Sequence, residues 1–381
     1  MQHEFRVSQA FLASRAIRNV TVYKLSNLLV ISLHEAAAMG KLAEMKEIIE
    51  SSSHLCLEEK DRRGLTTLHY AARGGHLQCV EYLISRGCNV FVETAKSHSN
   101  IIHSAALSGN LKLLQYILEI IKEKTSSERM IDHVCMPNAK GKLPAHCAAQ
   151  SGSIECFQRL YNISSEFHKD YKPNTGKMYH HFAAERGNLP LVQYLYNESI
   201  AIEYITDTYH DIVHFAARSG NLEMLKFAIQ KMPNTFRQNN LSWTPLFAAA
   251  QSFYTQVAQY LLDEHGLEIN CVSARAGRTP LCCAVESGSL EMVKYLISRG
   301  ANVRVSYTKP LLHFAAQGGN VEVLQFLMDS CGLSDQLEVV SYIVGNYPKN
   351  IFHYAMESRD AEVLMFLYEE ILPQRPILHD L

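Results

Sequence analysis

One frame recurs down the length of this chain: His-x-Ala-Ala-x-x-Gly, seen in full at His69, Ala71, Ala72 and Gly75. The histidine returns at His34, His103, His146, His181, His214, His313 and His353, and two further copies replace it with Phe247 and Cys282. Successive frame positions lie 35, 34, 43, 35, 33, 33, 35, 31 and 40 residues apart. Self-similarity with a basic period near 33 means stacked supersecondary units, none of which buries its apolar face alone. The frame thereby excludes most folds that 381 residues could otherwise adopt.

Each unit carries the local signals of two short helices. Thr66, Asn100, Asp211, Thr244, Thr279 and Asn350 stand three places before the frame position, where a side-chain oxygen can cap a helix. Pro144, Pro245 and Pro280 follow at the first helical residue, where a missing N–H costs nothing. The Ala-Ala pair keeps the first helix thin, and Gly75, Gly109, Gly152, Gly187, Gly220, Gly288 and Gly319 stop it. The second helix is apolar along one side, as in Leu77, Val80, Leu83 and Ile84, or Val321, Leu324, Leu327 and Met328.

On these residues the units resemble ankyrin repeats, whose pattern places a glycine at a hairpin tip, Thr-Pro-Leu-His at the first helix, and a second helix ending before glycine. The resemblance covers residues 23–370. It implies an all-α solenoid of about ten helix-turn-helix units joined by short hairpin loops. Repeat cores are expected near 31–60, 61–95, 96–137, 138–170, 171–205, 206–238, 239–272, 273–304, 305–344 and 345–370. Residues 1–22 are read as an N-terminal cap and 371–381 as a tail. Tip glycines stand at Gly64, Gly141, Gly176 and Gly277. Pro310 comes one place early. The third unit carries an insertion over 119–138, expected to form a lengthened second helix and a polar loop, and a smaller insertion precedes the tenth.

Composition narrows function. Hydrophobic residues make up 47% of the chain and the net charge is −2, so a core is affordable and nothing points to nucleic acid. No apolar run reaches the ~18 residues of a membrane span. The start, with three arginines and one acid in its first twenty residues, faintly echoes a mitochondrial presequence but reads more simply as a cap. Ten cysteines without a CxxC pair read as buried thiols, and the cytoplasm, or the nucleus, as the compartment.

The eight histidines invite a metal reading, which spacing defeats. One per repeat leaves them ~10 Å apart, whereas a metal gathers ligands within ~2–2.5 Å. Each is expected to fasten a hairpin to a helix. HEAAA after His34 has Ala38 where HExxH needs its second histidine, and P-loop, GxGxxG and GxSxG motifs are absent. Neither catalysis nor a cofactor is expected. Leu372-Pro373 and the apolar tail echo an F-box start, which Pro376 interrupts.

What remains is a binding surface. In ankyrin stacks the hairpin tips and first helices form a concave face that takes partner proteins. Here the later tips carry Tyr209, His210, Leu241, Trp243, Arg275, Arg278, Arg304 and Tyr307, residue types that dominate interface energies in the case of Trp, Tyr and Arg. Asn270 stands where an asparaginyl hydroxylase modifies similar repeats. The expected function is a monomeric, non-catalytic scaffold or adaptor for other proteins. The alternatives are a regulatory or recruiting subunit of a ligase, kinase or channel, and a microbial effector delivered into a host cell.

Overall fold

The computed structural model describes residues 30–51, 56–163, 165, 167, 171, 173–174, 176–200, 211–231, 243–274, 277–304, 309–335 and 349–371. Among them every regular element is helical. The expected N-terminal cap, the C-terminal tail beyond Ile371 and most of the insertion before the tenth unit lie outside the described residues. The chain forms two compact units, dividing between Tyr179 and His180.

The first unit holds α1 (30–38), α2 (Leu42–Ser51), α3 (Thr67–Gly74), α4 (Leu77–Ser85), α5 (Ile101–Ser108), α6 (Leu111–Lys124), α7 (Ser127–Val134), α8 (Pro144–Ser151) and α9 (Ile154–Ile163). First helices pack in series, α3 on α5 and α5 on α8, and each also packs on its own second helix. Their small residues permit this: Ala71, Ala72, Ala105, Ala106, Ala148 and Ala149 are fully buried. Second helices bury one stripe only, such as Cys79, Val80 and Leu83 of α4. Gly75 closes α3 at φ +80°, a left-handed conformation that side chains disfavour.

The insertion differs from expectation. The second helix is lengthened to Lys124, but the stretch beyond it is a further helix, α7, rather than a polar loop. Ser126 caps it by accepting from the Arg129 amide (3.3 Å), and Val134 is fully buried. A good cap and an apolar side chain with somewhere to go outweighed the polar composition.

α10 (Tyr179–Glu185) leads into the second unit, with α11 (Leu189–Asn197), α12 (Ile212–Ser219), α13 (Leu222–Lys231), α14 (Pro245–Ala250), α15 (Thr255–Asp263), α16 (Pro280–Ser287), α17 (Leu290–Ser298), α18 (Leu311–Gly318), α19 (Val321–Asp329), α20 (Ile351–Ser358) and α21 (Ala361–Phe366). A π-helical turn, Leu367–Ile371, follows α21. The same serial packing links α12, α14, α16, α18 and α20. Pro310 is the cap of α18 rather than its first residue, so that helix starts at Leu311. In α14 the glycine stop is missing, and the helix ends at Gln251 in a right-handed conformation.

Candidate functional site

The histidines come first, because eight of them share one position. His103 is 1% exposed; its Nε2 donates to the Lys142 carbonyl of the next hairpin (2.9 Å), and its Nδ1 lies 2.7 Å from Asn100 Oδ1. His214 repeats this arrangement, Nε2 to the Trp243 carbonyl (3.0 Å) and Nδ1 to Asp211 Oδ1 (2.8 Å). At His69 the Thr66 hydroxyl donates to Nδ1 (2.9 Å), and Nε2 faces the Ser99 carbonyl. Burial is the main cause holding His69 and His103 down to about 4, and it also lowers His34. At His69, His103 and His214 the cap residue, ring and following hairpin thus form a fastener. Among the described residues no group of three or more His, Cys, Asp or Glu is arranged to hold a metal ion.

Four of the six expected cap residues act as caps. Asn100, Asp211, Thr279 and Asn350 accept from first-turn amides, whereas the Thr66 and Thr244 side chains do not. Thr66 spends its hydroxyl on the His69 ring instead.

A second tie between repeats was not anticipated. Asn110 donates to the Gly75 carbonyl of the preceding repeat (2.8 Å) while its Oδ1 caps α6 through the Leu113 amide (3.2 Å). Asn221 does the same with the Gly187 carbonyl (2.8 Å) and the Met224 amide (3.0 Å). The signal was available as the Gly-Asn pair opening these second helices. In the seventh unit Tyr254 takes this place and packs against Gly220 so closely that a Cβ there would collide with its ring.

Of the proposed partner-binding residues, Tyr209, His210, Leu241, Arg275 and Tyr307 lie outside the described residues. Trp243 is half-buried and stacks on Phe247, with ring centroids 5.2 Å apart. Arg304 is exposed and pairs with Asp335 (3.0 Å) at a hairpin. Asn270 uses both ends of its amide on the following repeat, donating to the Gly300 carbonyl (3.2 Å) and accepting from the Asn302 amide (2.9 Å).

Arg278 belongs to a pattern that the sequence reading missed. Its guanidinium grips Glu286 with two bonds, 2.6 and 3.1 Å, and lies over the Phe314 ring at 4.9 Å. Arg278 stands four places before its frame position and Glu286 four places after. Lys349 and Glu357 pair in the same register (2.5 Å), and Lys309 bonds Gln317. Lys142 and Gln150 do so in the first unit (3.1 Å). Each pair is eight residues apart and closes over the first helix of its own repeat. A search for basic residues four places ahead of the frame would have found the row.

Lys309 is the most enclosed member. It is 5% exposed, with its amine 4.2 Å from the Phe314 centroid and 4.1 Å from that of Tyr354. Burial is the main cause that lowers it to about 8. Gln317 in turn donates to Glu357 (3.0 Å), and Lys349 lies over Tyr354 at 5.7 Å. The result is a continuous strip of cations, ring faces and acceptors across α16, α18 and α20.

Comparison with known proteins agrees with this architecture. The family model described as ankyrin repeats (3 copies) matches residues 33–128, 180–273, 213–307 and 267–335, more than half of the chain. The human transient receptor potential cation channel subfamily A member 1 is 27% identical over 350 residues, covering 75% of this chain and 28% of that protein. Ankyrin repeat protein nuc-2 of Neurospora crassa is 23% identical, covering 77% of this chain and 27% of its own length. A putative ankyrin repeat protein of fowlpox virus, FPV115, is 29% identical over 255 residues, covering 61% of this chain and 44% of that protein. The chain therefore spans well under two thirds of these relatives. Among the described residues no helix is long and apolar enough to cross a membrane. With the repeated frame, the buried histidine fasteners and the family match in agreement, the chain belongs to the ankyrin-repeat family, a family of protein-interaction modules.

Proposed function

We propose that this chain is a non-catalytic scaffold or adaptor that binds a partner protein through the concave face of its repeat array. The observation that carries this reading is the strip on the first helices of the second unit, where Arg278, Lys309 and Lys349 alternate with the Phe314 and Tyr354 rings. Such side chains are held in place before any partner arrives. Little rotamer freedom is then lost on binding, which favours affinity and specificity together. Catalysis has less support, because seven of the eight frame histidines and seven of the ten thiols are buried in the packing.

A second reading, a regulatory segment within a larger channel assembly, is favoured by the similarity over 75% of this chain to the human cation channel protein. Both readings place the partner on the same strip. The test uses the full chain with Arg278 and Glu286 exchanged, Arg278→Glu with Glu286→Arg, which keeps the pair but reverses it. Crosslinked partners recovered with the native chain should be lost with the exchanged one while its circular dichroism is unchanged. Recovery of the same partners by both chains would move the binding surface elsewhere.

A further inference from the structure

The strip carries an imbalance at its centre. Arg278 and Lys349 each face a carboxylate of their own repeat, Glu286 and Glu357. Lys309, between them, faces the neutral amide of Gln317. The Phe314 and Tyr354 rings stand in for the missing carboxylate. Ring faces attract an ammonium but do not neutralise it, so a positive charge is left in a largely desolvated place. The ionisable groups around it are Arg278, Glu286, Glu357 and the Cys282 thiol.

We propose that this strip is the docking site for an acidic segment of a partner protein, whose carboxylates complete the row centred on Lys309. The proposal rests on the protein-binding reading and adds the chemistry of the partner. A polypeptide fits better than nucleic acid, because Glu286 and Glu357 interrupt the cations and would repel a continuous phosphate backbone. Spacing gives the sequence rule. First helices of neighbouring repeats lie ~10 Å apart, and a segment in the polyproline-II conformation has three residues per turn and advances ~3.1 Å per residue. Acidic residues at every third position of such a segment share one face and would therefore meet successive cations.

The probe is a fluorescein-labelled peptide with glutamate at every third position and serine and leucine between, titrated into the full chain by fluorescence anisotropy. Two variants read the site. Lys309→Met removes the central charge. Gln317→Glu supplies the intramolecular carboxylate that the neighbouring repeats already have, so it neutralises the charge without opening a cavity. Each should weaken the peptide at least about tenfold, equivalent to ~1.4 kcal/mol. Lys226→Met, an exposed lysine on a second helix, should leave it unchanged. The proposal is overturned if the peptide does not bind, if a lysine-for-glutamate peptide or a thymidine oligonucleotide binds as well, or if Gln317→Glu has no effect. Should the peptide fail while partner recovery still depends on the Arg278–Glu286 exchange, the protein-binding reading stands and only the acidic partner falls.

Discussion

Acid should open this protein at its histidine fasteners, and His69 gives the clearest case. Its ring is fully buried, with the Thr66 hydroxyl donating to Nδ1, so the neutral form is the one the site accommodates. Burial takes it from 6.5 to about 4. Between those values the unfolded chain binds the proton and the folded chain does not. Stability is therefore complete above about pH 6.5, falls as pH drops, and has lost its full amount below about pH 4. At ~1.4 kcal/mol per tenfold change in proton affinity, the loss at pH 4.5 is about 2.5 kcal/mol, roughly 75-fold in the opening equilibrium. Because repeat arrays need not unfold in one step, the assay should be local. Hydrogen exchange of the amides of Thr67–Gly74, read by mass spectrometry at pH 7 and 4.5 after correction for intrinsic rates, reports the opening of α3 itself. The comparison chain is His69→Cys, the residue that occupies the same position at Cys282. The native chain should lose protection more steeply than this variant, by about the calculated factor. Separately, His69→Ala at pH 7 should cost about 2–4 kcal/mol through lost packing and bonding. Equal pH dependence in the native chain and His69→Cys would refute the fastener argument, as would unchanged melting of His69→Ala.

Further outcomes follow from other contacts. Asn221→Ala removes both a tie to the Gly187 carbonyl and the cap of α13, and should lower stability by about 1–3 kcal/mol in urea unfolding. Gly220→Ala should destabilise more than Gly75→Ala, whose added Cβ meets no atom closer than 3.4 Å, because at Gly220 the Tyr254 ring is in the way. Adding Tyr254→Asn should recover most of that difference in melting temperature. For Lys309 the sign runs opposite to an acid's. Its proton affinity is lowered in the fold to about 8 from 10.5, so folding is opposed below about pH 8 and that penalty fades as pH rises toward 10.5. Lys309→Met should be more stable than the native chain at pH 7, and denaturant midpoints should show the gap narrowing by about 1–2 kcal/mol by pH 9.5.

The family, the helix pairs and the burial of most of the histidines were legible in the sequence. They rest on local rules: caps, glycine stops, and one-sided apolar spacing repeated at a fixed period. The candidate site was legible only in part. Trp243, Arg278 and Arg304 stood out as residue types, but a linear reading treats each as free to meet a partner. The structure commits Arg278 to Glu286, Arg304 to Asp335 and Trp243 to Phe247. It also brings forward Lys309, whose sequence neighbourhood is ordinary.

The sequence by itself determined that this chain must stack, because a unit of two short helices with one apolar stripe cannot fold alone. It also pointed to a buried histidine bonded to hairpin backbone, an arrangement that His103 and His214 adopt. Only the tertiary structure decided which charges are already satisfied. Arg278 and Glu286 are eight residues apart, and Lys309 and Tyr354 come from different repeats. Such partners meet through the winding of a helix and the stacking of its neighbours. Whether a cation is paired, caged or left in excess depends on that meeting.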